Sequence, residues 1–341
     1  MTKTNQQKVK DFLINNGVII VMFILVIYTG FTSDNFFTKN NFMNILMNMS
    51  SRLVIALGIA GCVITAGCDL SAGRMIGFGA CISGMLLQRM DYSGKFFPDM
   101  QPLNVFVVAL IAMLVCAAFG TVTGFFIAYL NVPPFIATLA MMEIVYGIGL
   151  IVTNATPLGG YVEQYTNVSN GKFLGINYLI WIAIIVAAIT WFIFNMTRHG
   201  KYMYAIGGNP QAAEVAGVPV KATLILIYMK AAAMYGLAGF MLGAKAGGAS
   251  VQTGYGYEME AIAACTIGGV SVTGGRGKVS SAIIGVAVFE LLKVALQYLG
   301  MNANAQYIAI GVVIFIAISL DIRKYIARSE ERRVGKECRS R

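Results

Sequence analysis

Residues 197–221 read TRHGKYMYAIGGNPQAAEVAGVPVK, and the interpretation of the whole chain turns on them. They form a polar island between two long apolar runs. Arg198, His199 and Lys201 stand at its first edge and Lys221 at its last. Basic residues this close to a membrane span mark the cytoplasmic side. In the middle, Asn209-Pro210-Gln211-Ala212-Ala213-Glu214-Val215-Ala216 spells a short helix. Asn209 can cap its free amides, Pro210 suits the first helical position, and Gly217 with Pro219 ends the run. A short capped helix between two spans is a contact surface for a cytosolic body. The same features also describe a solvated, well-capped surface loop.

Outward from the island the chain is apolar. Of 341 residues 57% are hydrophobic and 12% charged, with mean hydropathy +0.72. Soluble domains carry about 25% charged residues, so the expected fold is an all-α polytopic membrane protein. Apolar runs near the ~20 residues that cross a bilayer predict about ten transmembrane helices. They fall near 12–31, 42–66, 70–90, 104–129, 133–153, 177–196, 222–246, 257–273, 279–299 and 304–321. Lys3, Lys8 and Lys10 then place residues 1–11 in the cytoplasm, and ten crossings return Arg323, Lys324 and Arg328 to the same side. Residues 12–321 form the membrane domain, 197–221 its cytoplasmic loop and 322–341 a cytoplasmic tail. The net charge of +10 lies mostly in flanks and loops, which reports topology and does not point to nucleic acid. The first span is read as uncleaved, because no small-residue cleavage site follows it.

The weakest spans hold glycine blocks. Gly67-Cys68-Asp69-Leu70-Ser71-Ala72-Gly73-Arg74 aligns without gaps on Gly269-Val270-Ser271-Val272-Thr273-Gly274-Gly275-Arg276. Glycines, the hydroxyl at Ser71 and Thr273, and the arginine coincide. Internal repeats with broken or short helices at such blocks are a common plan for transporters. Two unrelated tight glycine turns would look the same.

Ionisable residues inside spans are functional suspects. Asp69 and Arg74 either pair with each other at the helix break or line a path or gate, with Ser71 and Thr273 beside them. Glu143, midway along its span, is expected to face the bundle interior, bonded there to a hydroxyl or arginine or else placed on the same path or gate. Glu258 and Glu260 open a span near the outer face, as docking residues or as plain interfacial ones. Glu290 and Lys293, three apart on one helix, are expected to neutralise each other. Lys230 is expected to snorkel toward the cytoplasmic headgroups. No catalytic cluster is visible, and five of the six cysteines lie in apolar segments without metal spacing. With one histidine, a histidine metal site is not expected. Gly274-Gly275-Arg276-Gly277-Lys278-Val279 fails as a phosphate-binding loop, since Val279 replaces the metal-binding hydroxyl.

The chain resembles the permease subunits of bacterial simple-sugar ABC importers of the ribose, xylose and galactose type. The resemblance rests on Leu57–Gly61 through Asp69–Gly73, Tyr204–Pro210, Tyr257–Ala264 through Gly268-Gly269, and Gly274–Gly277, in that order. It covers residues ~10 to ~327. Cys68–Arg74 and Asn131-Val132-Pro133-Pro134-Phe135-Ile136 are most similar to the galactose/methyl-galactoside type. The resemblance implies a multi-pass inner-membrane subunit that binds no cofactor itself. It also implies a second permease copy, a cytoplasmic ABC ATPase that uses ATP and Mg, an extracytoplasmic sugar-binding protein, and surrounding lipid. Gly207, Gly208, Asn209, Pro210, Glu214, Ala216 and Gly217 are then the ATPase-coupling residues. An ion-coupled secondary transporter would show more paired carboxylates in its spans, and a membrane enzyme a nucleophile with its base. The stretch 329–341 has no counterpart in the family and reads as an extension foreign to it.

Overall fold

The computed structural model describes residues 20, 22–33, 35–302, 304–316 and 319. Residues 1–11, the first part of the first expected span (12–19), and the tail at 322–341 lie outside them.

Six described helices are long and apolar enough to cross a membrane: α2 (Lys39–Ile64), α4 (Val105–Tyr129), α5 (Pro134–Thr153), α7 (Tyr178–Met196), α10 (Val220–Ala246) and α12 (Val279–Tyr298). Shorter apolar helices are α1 (Met22–Thr32), α3 (Ala72–Leu86) and α13 (Asn304–Ile316). The helix α11 (Tyr257–Gly268) spans 12 residues, about 18 Å, too short to cross the hydrocarbon alone. The glycine blocks do coincide with short helices: one lies between α2 and α3, the other between α11 and α12.

Burial divides the long helices. In α2, 78% of the apolar window is buried, against 22–28% in α5, α4 and α7. The α2 helix is therefore a core element, and the other three offer most of their surface to whatever surrounds the bundle. At the centre α10 packs on α4, α3 and α2. Small residues make this possible, since lipid supplies no hydrophobic drive between helices and close backbone packing takes its place. A Cβ on Gly239 of α10 would lie 2.2 Å from Ile76 O of α3, and one on Gly120 of α4 would lie 2.4 Å from Tyr228 O.

The ends of the bundle are more structured than the sequence suggests. The loop at 154–176 contains α6 (Glu163–Asn170) and starts the hairpin β1 (Lys172–Phe173) and β2 (Ile176–Asn177). It is tied down by the buried Tyr165, whose hydroxyl donates to Phe240 O at 2.7 Å, and by a Leu158–Ala249 bridge. At the opposite end the polar island folds as two helices rather than one: α8 (Arg198–Gly208) and α9 (Pro210–Val215).

Candidate functional site

The island starts from its caps. Thr197 Oγ1 accepts from Gly200 N at 3.3 Å and opens α8. Asn209 Oδ1 accepts from Ala212 N at 2.9 Å and opens α9, with Pro210 at its first turn. Gly217, at φ +82°, closes it, and Val218 N reaches back to Ala213 O at 3.0 Å. A left-handed position followed by this long back-bond is the glycine-ended helix stop. Of α9 only Ala213 is buried; Gln211, Glu214, Ala216 and Gly217 are exposed, and Val215 is 90% exposed. The outer face of this capped helix is therefore open to contact.

The other end of α8 is wedged. A Cβ on Gly207 would lie 1.8 Å from Ile64 O, at the end of α2, and 2.6 Å from Gly275 N. Gly275 N itself donates to Ile64 O at 2.8 Å. Tyr204 of α8 donates to Gly277 O at 2.8 Å. Three pieces of backbone thus meet without side chains between them: the end of the first broken element, the island and the second glycine block. Gly208, by contrast, faces open space.

Both glycine blocks begin on the same helix stop. Ala66 N bonds Val63 O and Gly67 N bonds Cys62 O; Gly269 N bonds Thr266 O and Val270 N bonds Cys265 O. Ala66, at φ +58°, holds the left-handed place that Gly269, at φ +102°, holds in the second block. The stops are one residue out of register with the sequence alignment. The aligned side-chain pairs are nevertheless alike: Ser71 Oγ donates to Asp69 Oδ1 at 2.6 Å, and Ser271 and Thr273 hydroxyls bond at 2.9 Å. Beyond them the blocks diverge, since α3 starts at once at Ala72 while α12 waits until Val279.

Asp69 and Arg74 do not pair with each other. Asp69 is 1% exposed and accepts from Ser71 N as well as Ser71 Oγ, with the Tyr235 hydroxyl beside it. Arg74 points the other way. Its guanidinium lies over the Tyr146 ring at 3.9 Å and the Tyr255 ring at 4.4 Å, and donates to Gln252 Oε1 at 2.8 Å. Glu143, expected in the bundle interior, is exposed on α5, one turn before Tyr146. The helix contacts of α5 run through Thr138, Met141, Val145 and Gly149, which leaves position 143 on the outward side.

Glu258 and Glu260 turn inward. Glu258 is 4% exposed with its carboxylate over Gly73, and one of its oxygens has no hydrogen-bond partner among the described residues. Glu260 bonds Arg52 and, at 2.5 Å, Lys293. The expected Glu290–Lys293 pairing gives way to this network. Lys293 bonds Glu260, and Glu290 takes Arg52 Nε at 2.9 Å as an ion pair without hydrogen-bond alignment. Arg52, which joins α2 to α11 and α12, is the residue that sequence reasoning missed. The rule that singled out Asp69, an ionisable group inside a span, would have found it. Tyr146, Tyr255 and Gln252 carry no such signal, since aromatic and amide residues are common at span ends.

Lys230 is half-buried and, with His199, lines a cleft between α2, α7, α8 and α10. Burial, and then the Lys230 charge, push the His199 imidazole down to about 4.

A family profile described as "Branched-chain amino acid transport system / permease component" matches residues 41–318. The chain is 39% identical over 332 residues to the galactose/methyl galactoside import permease protein MglC of Escherichia coli (strain K12), covering 95% of this chain and 99% of that one. The Haemophilus influenzae protein of the same name is 40% identical, with the same coverage. The ribose import permease protein RbsC of Escherichia coli (strain K12) is 32% identical over 92% of this chain and 96% of its own. No solved structure matches. With four fifths of its length inside the profile and relatives matched nearly end to end, this chain belongs to the family of transport-system permease components.

Proposed function

We propose that the chain is the membrane-spanning subunit of an ATP-driven, binding-protein-dependent sugar importer of the bacterial inner membrane, with galactose or methyl-galactoside as substrate. The observation that carries the reading is the island: a rigid, exposed helix, α9, whose root at Gly207 is wedged against the ends of both glycine blocks. A body that moves α9 moves both breaks. A cytoplasmic ATPase that spends ATP and Mg is the partner this surface suits, with Glu214 and Val215 at its contact. Higher identity to galactose permeases than to the ribose permease, at comparable coverage, favours the hexose.

In this reading the six long helices, with α1, α3, α13 and α11 continued by the glycine block after it, make ten crossings and leave both termini in the cytoplasm. The sugar-binding protein docks on the end closed by α6 and the hairpin. A second copy of the chain completes the path along the least buried helices. A carboxylate such as Glu143 is costly against acyl chains, so its face of α5 belongs to a wet path or to the partner copy. Arg74 with its two tyrosines, Asp69, Ser71 and Thr273 are the path or gate residues.

Proteoliposomes holding the chain with its ATPase and binding protein test this. Uptake should require both partners and ATP, prefer galactose to ribose, and fall in Asn209→Ala and Glu214→Ala. Removing the Asn209 cap costs α9 about 1 kcal/mol, enough to fray so short a helix. Uptake by the chain alone down an ion gradient would overturn the reading; ribose preference with intact ATP dependence would overturn only the substrate.

A further inference from the structure

The cleft between α2, α7, α8 and α10 is a shallow groove, open along one side, with about 330 Å³ of empty space that includes the open solvent in front of it. Most of its wall is apolar, including Leu57, Ile193, Phe194, Ile227 and Met234. Two basic side chains face it: Lys230, ten residues into α10, and His199, in the first turn of α8. Neither has a hydrogen-bond or ion-pair partner among the described residues, and no carboxylate lines the cleft. The one hydroxyl, Thr190, is already spent on Val186 O at 2.7 Å. Gly58 and Gly61 form part of the floor, and a methyl on Gly61 would meet only ordinary contacts at 3.7–4.0 Å.

Two basic side chains beside apolar walls, with no carboxylate near them among the described residues, leave one part missing. Like charges sharing a partly dry site repel, and the His199 imidazole yields by staying neutral at physiological pH. Lys230 is left with no anion beside it among the described residues. Lys230 lies about 15 Å along α10 from Val220, and its flexible stem shares the cleft with His199 at the start of the polar island. The apolar walls suit hydrocarbon and the charge suits a phosphate.

We propose that this cleft binds one acidic phospholipid, its phosphate on Lys230 and an acyl chain along the apolar wall. The ligand chemistry is an organic or inorganic phosphate; the walls favour the lipid. Bound there, the lipid would bridge α7, α8 and α10 beside the root of the island. The proposal does not depend on which solute the chain carries.

The test is native mass spectrometry of the purified chain with phosphatidylglycerol or phosphatidylcholine, with inorganic phosphate as a separate arm. The wild type should retain one phosphatidylglycerol in preference to phosphatidylcholine. Lys230→Met should reduce that retention about fivefold to tenfold, and Lys230→Arg should restore it. Methionine is at home in a membrane helix, so without lipid the Met variant should melt no lower than the wild type. Equal retention of both lipids, or retention unchanged in Lys230→Met, would overturn the proposal. Stabilisation of the wild type by inorganic phosphate, with displacement of the lipid, would overturn the lipid as occupant.

Discussion

His199 carries a pH signature that follows from its surroundings. Its pKa in the folded chain, about 4, lies below the ordinary 6.5 because burial and the Lys230 charge both disfavour the imidazolium. Between those values the unfolded chain binds a proton that the folded chain refuses. The stability His199 supports is therefore complete above about pH 6.5 and is lost as pH falls toward 4. Melting temperatures of the solubilised chain should fall across that window, and His199→Gln should flatten the fall. An unchanged slope in the variant would place the titrating group elsewhere. Single residues also mark the limit of what the sequence says. Asn209, Pro210 and Gly217 were legible because capping is local chemistry. The places of Glu143 and of the Arg74 guanidinium were not, because they depend on which way a helix is rotated against distant partners.

At the scale of elements, Arg52 is the charge that links α2 to α11 and α12. Its partners Glu260 and Glu290 are respectively 12% and 3% exposed at the side chain. Arg52→Leu leaves both glutamates with less positive charge than they need and should cost about 3–5 kcal/mol, as removing one side of a buried pair does. The double variant Arg52→Leu with Glu290→Leu should recover part of that loss, because it also removes the stranded carboxylate. A thermal double-mutant cycle reads the coupling; additive losses would mean that the pair does not act as a unit. The helix positions themselves were largely legible, since long apolar runs report spans directly. The helices α6 and α8 were not, because their polar sequences are held by tertiary anchors such as Tyr165 on Phe240 O and Tyr204 on Gly277 O. Glu290 and Lys293 show the same limit: spacing made them neighbours, but longer-range partners, Arg52 on α2 and Glu260 on α11, outcompeted the local pairing.

At the scale of the whole molecule, the glycine pair at the root of the island separates fold from coupling. Gly207→Ala drives a methyl to within 1.8 Å of Ile64 O, and main chain cannot swing aside as a side chain could. The expected cost is about 1–3 kcal/mol, with sugar uptake lost. Gly208→Ala, next along the chain, meets nothing within 4 Å and should leave uptake and melting temperature near the wild type. Equal behaviour of the two variants in uptake and melting would remove the junction from the transport argument. The glycine repeat was visible as letters, but its meeting with the island at Gly207 was not, since nothing in an alignment of two blocks says what a third segment will touch. Side chains are the compliant parts of a contact, because their torsions absorb displacement before the main chain does. Between Gly207, Gly275 and Ile64 there is almost none of that padding. The joint between the exposed helix and the two helix breaks is therefore closer to a hinge pin than to a spring, passing on a push with little slack and storing little of it.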